Sequence, residues 1–339
     1  MDPLSQAAIG AAAAQAGATK KSLATGLWVG ALGGMMPDID VLIRSASDPL
    51  LFLDYHRHFT HSLAFIPFGG AFAAGVASLL SRGKHRMAEL WWPATLGWAT
   101  HGLLDSCTSY GTFLFWPFSD ERVAWHNVAI IDPLFTLPLV AGVLLAWRRR
   151  NRLLGQVTLL WGVFYLCLGL VQRDRASEHH ERLMAERGHT PVRAEVKPSI
   201  GNNILFRAFY EHEGLYITDA IRVPWFGPAS DYEGERIQAL KLEEVLPGLE
   251  PIHAQDLKRF ARFSNDFLIA DPRHPGFVSD FRYAAVPNTI APLWGVDLGG
   301  AQEGKHLNFD RFNRVSKEGR AEFLRQLSGD QTHDPVNSR

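Results

Sequence analysis

Residues 55–62, YHRHFTHS, stand immediately before twenty uncharged residues, 62–81. This stretch places three imidazoles, an arginine and two aliphatic hydroxyls directly at the start of an apolar segment long enough to cross a hydrocarbon core. Polar groups in such a place are costly unless they are paired or functional. The stretch therefore predicts a metal site at a membrane surface, next to a membrane-spanning helix.

Two further polar groupings end apolar stretches in the same way. Asp38 and Asp40 in PDID close one stretch, and His101 and Asp105 in HGLLD close another. His101 and Asp105 are four residues apart, so both project from one face of a helix and can bind one metal or two adjacent metals. Acidic and imidazole ligands thus recur at the ends of apolar segments.

Each grouping also has a structural interpretation. Asp38 and Asp40 could simply cap a helix or form a turn. Arg57 could offer a bidentate fork to an anionic substrate, or it could form a salt bridge with Asp54. His58 is interpreted as a solvated loop histidine. The metal interpretation is favoured because the groupings occur together.

The chain has two compositional halves. Residues 1–172 hold 12 of the 34 basic and 10 of the 35 acidic residues, so charged groups accumulate in residues 173–339. The first half contains six apolar stretches, at 4–19, 22–37, 62–81, 90–104, 127–147 and 153–171. We expect a mainly α-helical bundle of about five to six transmembrane segments, followed by a small α+β soluble domain.

Basic residues indicate how the segments would be oriented. They cluster at residues 20–21, 82–86 and 148–152, and such clusters favour the cytoplasmic side. All candidate ligands then fall on the opposite face, and residues 173–339 lie outside the cytoplasm. The expected location is the inner or plasma membrane.

Several function classes are disfavoured. The net charge of −1 argues against nonspecific nucleic-acid binding. Two cysteines, at positions 107 and 167, give neither a CxxC pair nor a disulfide framework. The first 19 residues lack the features of a signal peptide. No G-x-S-x-G, Walker A or dinucleotide motif occurs, which disfavours serine hydrolases and nucleotide-dependent enzymes.

The second half shows structural patterns and no chemical signal. Residues 203–223 and 267–286 alternate apolar and polar around turn residues, which predicts two hairpins. Residues 230–263 and 310–328 are typical of amphipathic helices. Residues 173–190 are expected to continue the helix of the last apolar segment, with His179 and His180 solvated.

The first half resembles a known family. The motifs MDPLSQAAIGA, GMMPDID, HRHFTHSL, HGLLDSCTSYGTFLFWPFS and VAIIDPLFTLPL resemble the YdjM/YbcI-type family of membrane-bound metal-dependent hydrolases over residues 1–172. The resemblance implies a helical membrane protein with a metal site loosely similar to those of zinc-dependent phospholipase C and S1/P1-type nucleases. The ligands it implies are Asp38, Asp40, His56, His61, His101 and Asp105. Participation of Gln6, His126 and Asp132 stays open.

The resulting hypothesis is a metal-dependent hydrolase that attacks an ester through activated water. Mixed imidazole and carboxylate ligation suits one or two ions of Zn²⁺, with Mn²⁺ or Mg²⁺ as alternatives. Arg57 and His61 are the candidate catalytic residues, and the substrate would be an anionic ester or a lipid-derived molecule. The alternative is a noncatalytic membrane protein whose metal is structural or transported.

Overall fold

The computed structural model describes residues 1–312 and 315–331. Contacts divide the chain into two compact units, the first made of residues 1–42, 55–171 and 200–202, and the second of residues 43–54, 172–199 and those from 203 onward. The main division therefore falls at residues 171 and 172, with two short segments exchanged.

Within the described residues the α-helices are α1 (Pro3–Ala16), α2 (Leu23–Met35), α3 (Leu51–Tyr55), α4 (Ile66–Leu80), α5 (Met87–Cys107), α6 (Pro133–Arg148), α7 (Arg152–Glu186), α8 (Leu242–Val245), α9 (Pro251–Phe263) and α10 (Lys317–Ser328). The strands are β1 (Arg193–Pro198), β2 (Leu205–His212), β3 (Leu215–Arg222), β4 (Ser230–Gln238), β5 (Leu268–Ala270), β6 (Phe277–Asp280), β7 (Trp294–Asp297) and β8 (Asn308–Arg311).

Small residues bring α1, α2 and α5 together in the first unit. A Cβ on Gly97 of α5 would lie 2.2 Å from the carbonyl oxygen of Gly30 in α2, and a Cβ on Gly10 of α1 would lie 2.5 Å from the same oxygen. Backbones can approach this closely only where side chains are minimal. The small residues of α1, α2 and α5 therefore allow these three helices to pack directly against one another.

The number of membrane spans is smaller than the sequence analysis predicted. Each of the six apolar stretches contains a helix, but within the described residues only Leu63–Leu80 and α7 are long and apolar enough to cross a membrane. Helices α1, α2 and α6 have only 14, 13 and 16 residues, short of the ~20 that a span requires. Helix α5 has 21 residues but carries polar and charged side chains.

The two candidate spans carry large apolar side chains on their outer surfaces. Only 28% of the apolar 18-residue stretch in each span is buried inside the protein. Phe72 and Leu79 on α4, and Leu160 and Phe164 on α7, are each more than half exposed. Exposed apolar surface of this extent is typical of helices that contact lipid.

The second unit contains two antiparallel four-stranded sheets. Their strand orders are β1-β2-β3-β4 and β5-β6-β7-β8, and both predicted hairpins occur, as β2-β3 and β5-β6. Aromatic residues from both sheets share a core, in which Phe209 of β2 meets the rings of Phe267 and Phe281 edge-on at 5.1 and 5.6 Å.

Two sequence-based interpretations of the second half are wrong. Residues 230–238 form strand β4, because Gly234 allows the chain to lie directly against Thr218 of β3, and only residues from 242 onward are helical. His180 is buried and not solvated, because its face of α7 packs on the ring of Tyr210 in β2. Local periodicity does not detect such contacts, since they join residues far apart in the sequence.

Candidate metal centre

Five of the six predicted ligands come from three separate elements of the first unit, and the sixth, His56, lies in the turn after α3. Asp38 and Asp40 lie on the 3-10 helix Met36–Leu42, which continues directly from α2. His61 ends the 3-10 turn Phe59–His61, whereas His101 and Asp105 lie on the last two turns of α5. A Cβ on Gly102 would meet the carbonyl oxygen of His61 at 2.0 Å, so glycine is what allows these two elements to touch.

Four side chains converge on one point. The Nε2 atoms of His61 and His101 each lie 3.4 Å from Oδ1 of Asp38, and they lie 3.3 and 3.6 Å from Oδ2 of Asp105. A tetrahedral ion with ligand bonds of roughly 2.0–2.2 Å requires its ligands to be about 3.3–3.6 Å apart. The four imidazole–carboxylate distances therefore fit a bound zinc-sized ion, whereas the two Nε2 atoms, 2.9 Å apart, lie closer together than such an ion requires.

The hydrogen atoms on the two imidazoles support the same conclusion. Nδ1 of His101 donates to the carbonyl oxygen of Gly34 at 2.5 Å, and Nδ1 of His61 lies 3.0 Å from the hydroxyl of Thr60 and 3.3 Å from Asp40. Each neutral ring then presents an Nε2 lone pair, yet the two Nε2 atoms are only 2.9 Å apart. A proton or a metal ion must lie between them.

A second ligand group shares Asp38 with the first. Ligand atoms of Asp38, Asp40 and His56 lie within 4.8 Å of one another. The side chains of Asp38 and His56 are 27% and 21% exposed, whereas His101 and Asp105 are completely buried. The first group is thus closed by four protein ligands, while the second has three and is open to solvent.

Asp40 binds the residues that carry and adjoin both His56 and His61. Its Oδ1 lies 2.9 Å from Nδ1 of His56, and its Oδ2 accepts from the backbone N–H of Arg57 and the hydroxyl of Thr60 at 2.8 and 3.0 Å. Burial opposes ionisation of Asp40, but its bonds to His56 and His61 outweigh burial and hold its pKa well below the usual range. Asp40 is therefore an ionised acceptor that orients both imidazoles.

Arg57 is buried beside Asp105. Its Nε lies 3.1 Å from Oδ2 of Asp105, its Nη1 donates to Thr108 at 2.9 Å, and its guanidinium stacks over the Tyr110 ring at 4.7 Å. The carboxylate of Asp54, considered as its salt-bridge partner in the sequence analysis, is instead bound by Arg259.

Two groups contact Asp105 that the sequence analysis did not assign to the site. Nε2 of Gln6 donates to Oδ1 of Asp105 at 2.9 Å, and the α-amino group of Met1 also contacts this oxygen. Among the described residues, Oε1 of Gln6 is buried without a hydrogen-bond donor, and Oδ2 of Asp105 has only ionic contacts, the nearest with Nε of Arg57. Buried acceptors of this kind suit a cation. Only the fold shows that α1 begins at this point of the site.

Asp132 and His126, which the sequence left open, and His58, which was interpreted as a solvated loop histidine, lie outside both ligand groups. Asp132 caps α6 by accepting from the N–H groups of Leu134 and Phe135, and it accepts from the hydroxyl of Tyr165 at 2.8 Å. Neither His126 nor His58 belongs to a group with metal-ligand spacing among the described residues. The ring of His58 packs on Phe113, with ring centroids 4.9 Å apart.

Comparison with known proteins relates the chain to a protein family. A family model described as YdjM inner membrane protein matches residues 1–176, just over half of the chain. The chain belongs to the YdjM inner membrane protein family. Neither a curated protein nor a solved structure matches it.

Membership of the YdjM inner membrane protein family agrees with the exposed apolar surfaces of Leu63–Leu80 and α7. The matched residues include both ligand groups and end within α7. The family description names a membrane protein and states no reaction.

Proposed function

We propose that this protein is a membrane-bound metal-dependent hydrolase with two ions held side by side. The observation that carries the proposal is the sharing of Asp38 by two adjacent ligand groups, one closed and one open. Asp38, His61, His101 and Asp105 would hold the first ion, and Asp38, Asp40 and His56 the second. Zn²⁺ suits the imidazole-rich first group, and the carboxylate-rich second group also admits Mn²⁺ or Mg²⁺.

The protein residues around the ions have separable tasks. Asp40 fixes the ring orientations of His56 and His61 through their Nδ1 atoms, a role that outer-shell carboxylates commonly play. Arg57 and Gln6 hold the two oxygens of Asp105. Because the guanidinium of Arg57 is buried and has these partners, we propose that it positions Asp105 and does not clamp the substrate.

The second group is where water and substrate would arrive. Asp38 and His56 are the only two of the six predicted ligands that lie partly exposed. Bound ions would supply positive charge for activating water and stabilising the departing oxygen, the arrangement used for phosphoester cleavage. An anionic ester, soluble or derived from a lipid, is therefore the proposed substrate class, reached from outside the cytoplasm.

A structural metal is the alternative that one observation favours. Four protein ligands close the first group, and closed four-ligand sites are typical of structural zinc. Under this alternative the protein would hold a single ion, and the second group would have no role in binding.

The test is metal content and hydrolysis measured on detergent-purified protein. We expect two ions per chain, and cleavage of a chromogenic phosphodiester that chelation abolishes and Zn²⁺ or Mn²⁺ restores. His56→Ala should lose one ion and the turnover while the other ion stays bound. One ion per chain, unaffected by His56→Ala and accompanied by no hydrolysis, would support the structural alternative. A folded, metal-free protein that takes up neither ion would contradict both.

A further inference from the structure

Residues 43–54 belong to the second unit, although the chain reaches them between two metal-ligand motifs. The segment begins three residues after Asp40 and ends two residues before His56. These two side chains are in contact, with Nδ1 of His56 2.9 Å from Oδ1 of Asp40. The segment is thus a loop of the chain whose two ends are brought together by Asp40 and His56 of the second ligand group.

One arginine of the second unit binds this segment at two places. Nε and Nη2 of Arg259 lie 2.9 and 2.7 Å from the carboxylate of Asp54, and Nη1 lies 3.0 Å from Asp48. Nη1 also lies 3.1 Å from Asp256, one turn earlier on α9. A planar guanidinium can hold several carboxylates in fixed directions, which a lysine ammonium cannot.

Apolar contacts hold the same segment. Leu50 and Leu53 are buried, and the ring of Phe52 meets that of Phe309 in β8 edge-on, with centroids 5.1 Å apart. Buried leucines and an aromatic pair indicate an ordered segment and not a free linker.

The carboxylates around Arg259 do not need a metal of their own. Asp48, Asp256 and His306 have ligand atoms within 4.8 Å of one another, but the guanidinium of Arg259 already supplies positive charge to both carboxylates. Nδ1 of His306 is likewise taken up by Asp256 at 2.9 Å. The cluster is therefore interpreted as an anchor for the segment.

We propose that Arg259 is a positioning residue for the second metal-ligand group, acting by fixing the conformation of residues 43–54 and thereby the separation of Asp40 and His56. This inference rests on the proposed two-ion function. It assigns to the second unit a task in metal binding.

The effect should be selective for one ion. In the second group, Asp38 and Asp40 precede the segment and His56 follows it, so every contact with His56 closes the loop. In the first group only Asp38 precedes the segment, whereas the other three ligands, His61, His101 and Asp105, follow it and keep their mutual contacts without it. Closing a flexible loop of ~15 residues lowers affinity by up to roughly fiftyfold. Release of the segment should therefore lower the affinity of the second group for its ion by about tenfold or more.

The experiment compares Arg259→Met with Lys258→Met in the full-length, detergent-purified protein. Lys258 is the neighbouring residue on α9 and is exposed, and its replacement by methionine removes the same charge as Arg259→Met. Zn²⁺ affinity and stoichiometry are measured by titration, and backbone hydrogen exchange is measured for residues 43–54. We expect Arg259→Met to raise exchange in the segment and to weaken only the second ion, whereas Lys258→Met should resemble the wild type.

Asp54→Asn serves as a second variant, because it weakens the anchor from the segment and leaves the contacts of Arg259 with Asp48 and Asp256. Asp54→Asn should raise hydrogen exchange in the segment and lower the affinity for the second ion, each by less than Arg259→Met does. Arg259→Lys should retain part of the affinity that Arg259→Met loses. Faster exchange in the segment with unchanged affinity for both ions would overturn the inference and leave the proposed function standing. Wild-type protein that binds fewer than two ions would overturn the proposed function itself.

Discussion

At the scale of single residues, the first ligand group depends on which nitrogen of each histidine carries hydrogen. The carbonyl of Gly34 can only accept, so Nδ1 of His101 donates and Nε2 faces the ligand group. Asp40 and Thr60 fix His61 in the same way. The partners that select these tautomers are therefore as important as the ligands themselves.

His101→Ala should remove the first ion and lower turnover by at least about a hundredfold. The helical content should stay close to that of the wild type, because α5 packs through its small and apolar residues. Metal analysis and circular dichroism measure the two effects. His58→Ala is the control from the same loop region and should retain the metal; equal metal loss in both variants would mean that the histidines are misassigned.

Metal affinity should rise with pH. Burial alone would lower the pKa of His61, but its bonds to Asp105, Asp38 and Asp40 outweigh burial and raise it to about 10. The metal-free site therefore holds a proton on His61 at neutral pH, and an ion must displace it. We expect affinity to increase about tenfold per pH unit between pH 7 and 9. Competition with a chelator of known protonation measures this, and a flat profile would contradict it.

Arg57→Lys should lower the affinity of the first group for its ion by about tenfold. Lysine keeps a positive charge near Asp105 but cannot also donate to Thr108 as the guanidinium does. If Arg57 positions Asp105, metal affinity and turnover should fall together. If it clamps an anionic substrate instead, turnover should fall and metal affinity should stay at the wild-type value; parallel titration and kinetic measurements separate the two.

At the scale of elements, the site depends on how closely α5 approaches the turn that carries His61. A Cβ on Gly102 would lie 2.0 Å from the carbonyl oxygen of His61, a distance that forces the backbones apart. Helix α5 presents both His101 and Asp105 from this face. Displacing it would separate two ligands from the other two.

Gly102→Ala should lower the free energy of unfolding by about 1–3 kcal/mol through overpacking, and it should weaken metal binding. Thermal unfolding in detergent and metal titration measure the two effects. Gly75→Ala on α4 is the control, because a Cβ there meets nothing within 4 Å. It should be neutral or stabilise the helix by up to about 1 kcal/mol. A Gly102→Ala protein as stable and as metal-loaded as the control would contradict the close approach.

At the scale of the whole molecule, the chain combines a helical inner membrane unit with a second unit that contains two antiparallel sheets. The sequence analysis predicted five to six spans, whereas two helical segments within the described residues meet the length and composition of a span. Apolar composition alone does not distinguish a helix buried in protein from one surrounded by lipid, because both lack charged side chains.

Reporter fusions test the orientation of the chain. The basic residues at 148–152 predict a cytoplasmic loop before α7, so residues after 200 should lie outside the cytoplasm. A phosphatase fused after residue 200 should be active, and a cytoplasmic reporter fused there should be inactive. The opposite pattern would reverse the orientation, while the ligand groups would still lie together.

The sequence by itself predicted the helices of the first half, the two hairpins and the six candidate ligands that the fold brings together. Helix and strand periodicities are local, and imidazole and carboxylate groups at the ends of apolar stretches are informative wherever the chain later places them. His101 and Asp105, four residues apart, had to share a helical face. The family could be inferred from the same motifs, and the match over residues 1–176 confirms it.

Only the tertiary structure decided how these residues divide into two groups and what supports them. Asp38 bridges the groups, Gln6 reaches Asp105 across 99 residues, and Arg259 holds Asp54 across 205. Contacts of such sequence separation depend on the packing of whole elements, which no local pattern encodes. For the same reason strand β4 was taken for a helix, since its pairing with β3 and not its own composition fixes its conformation.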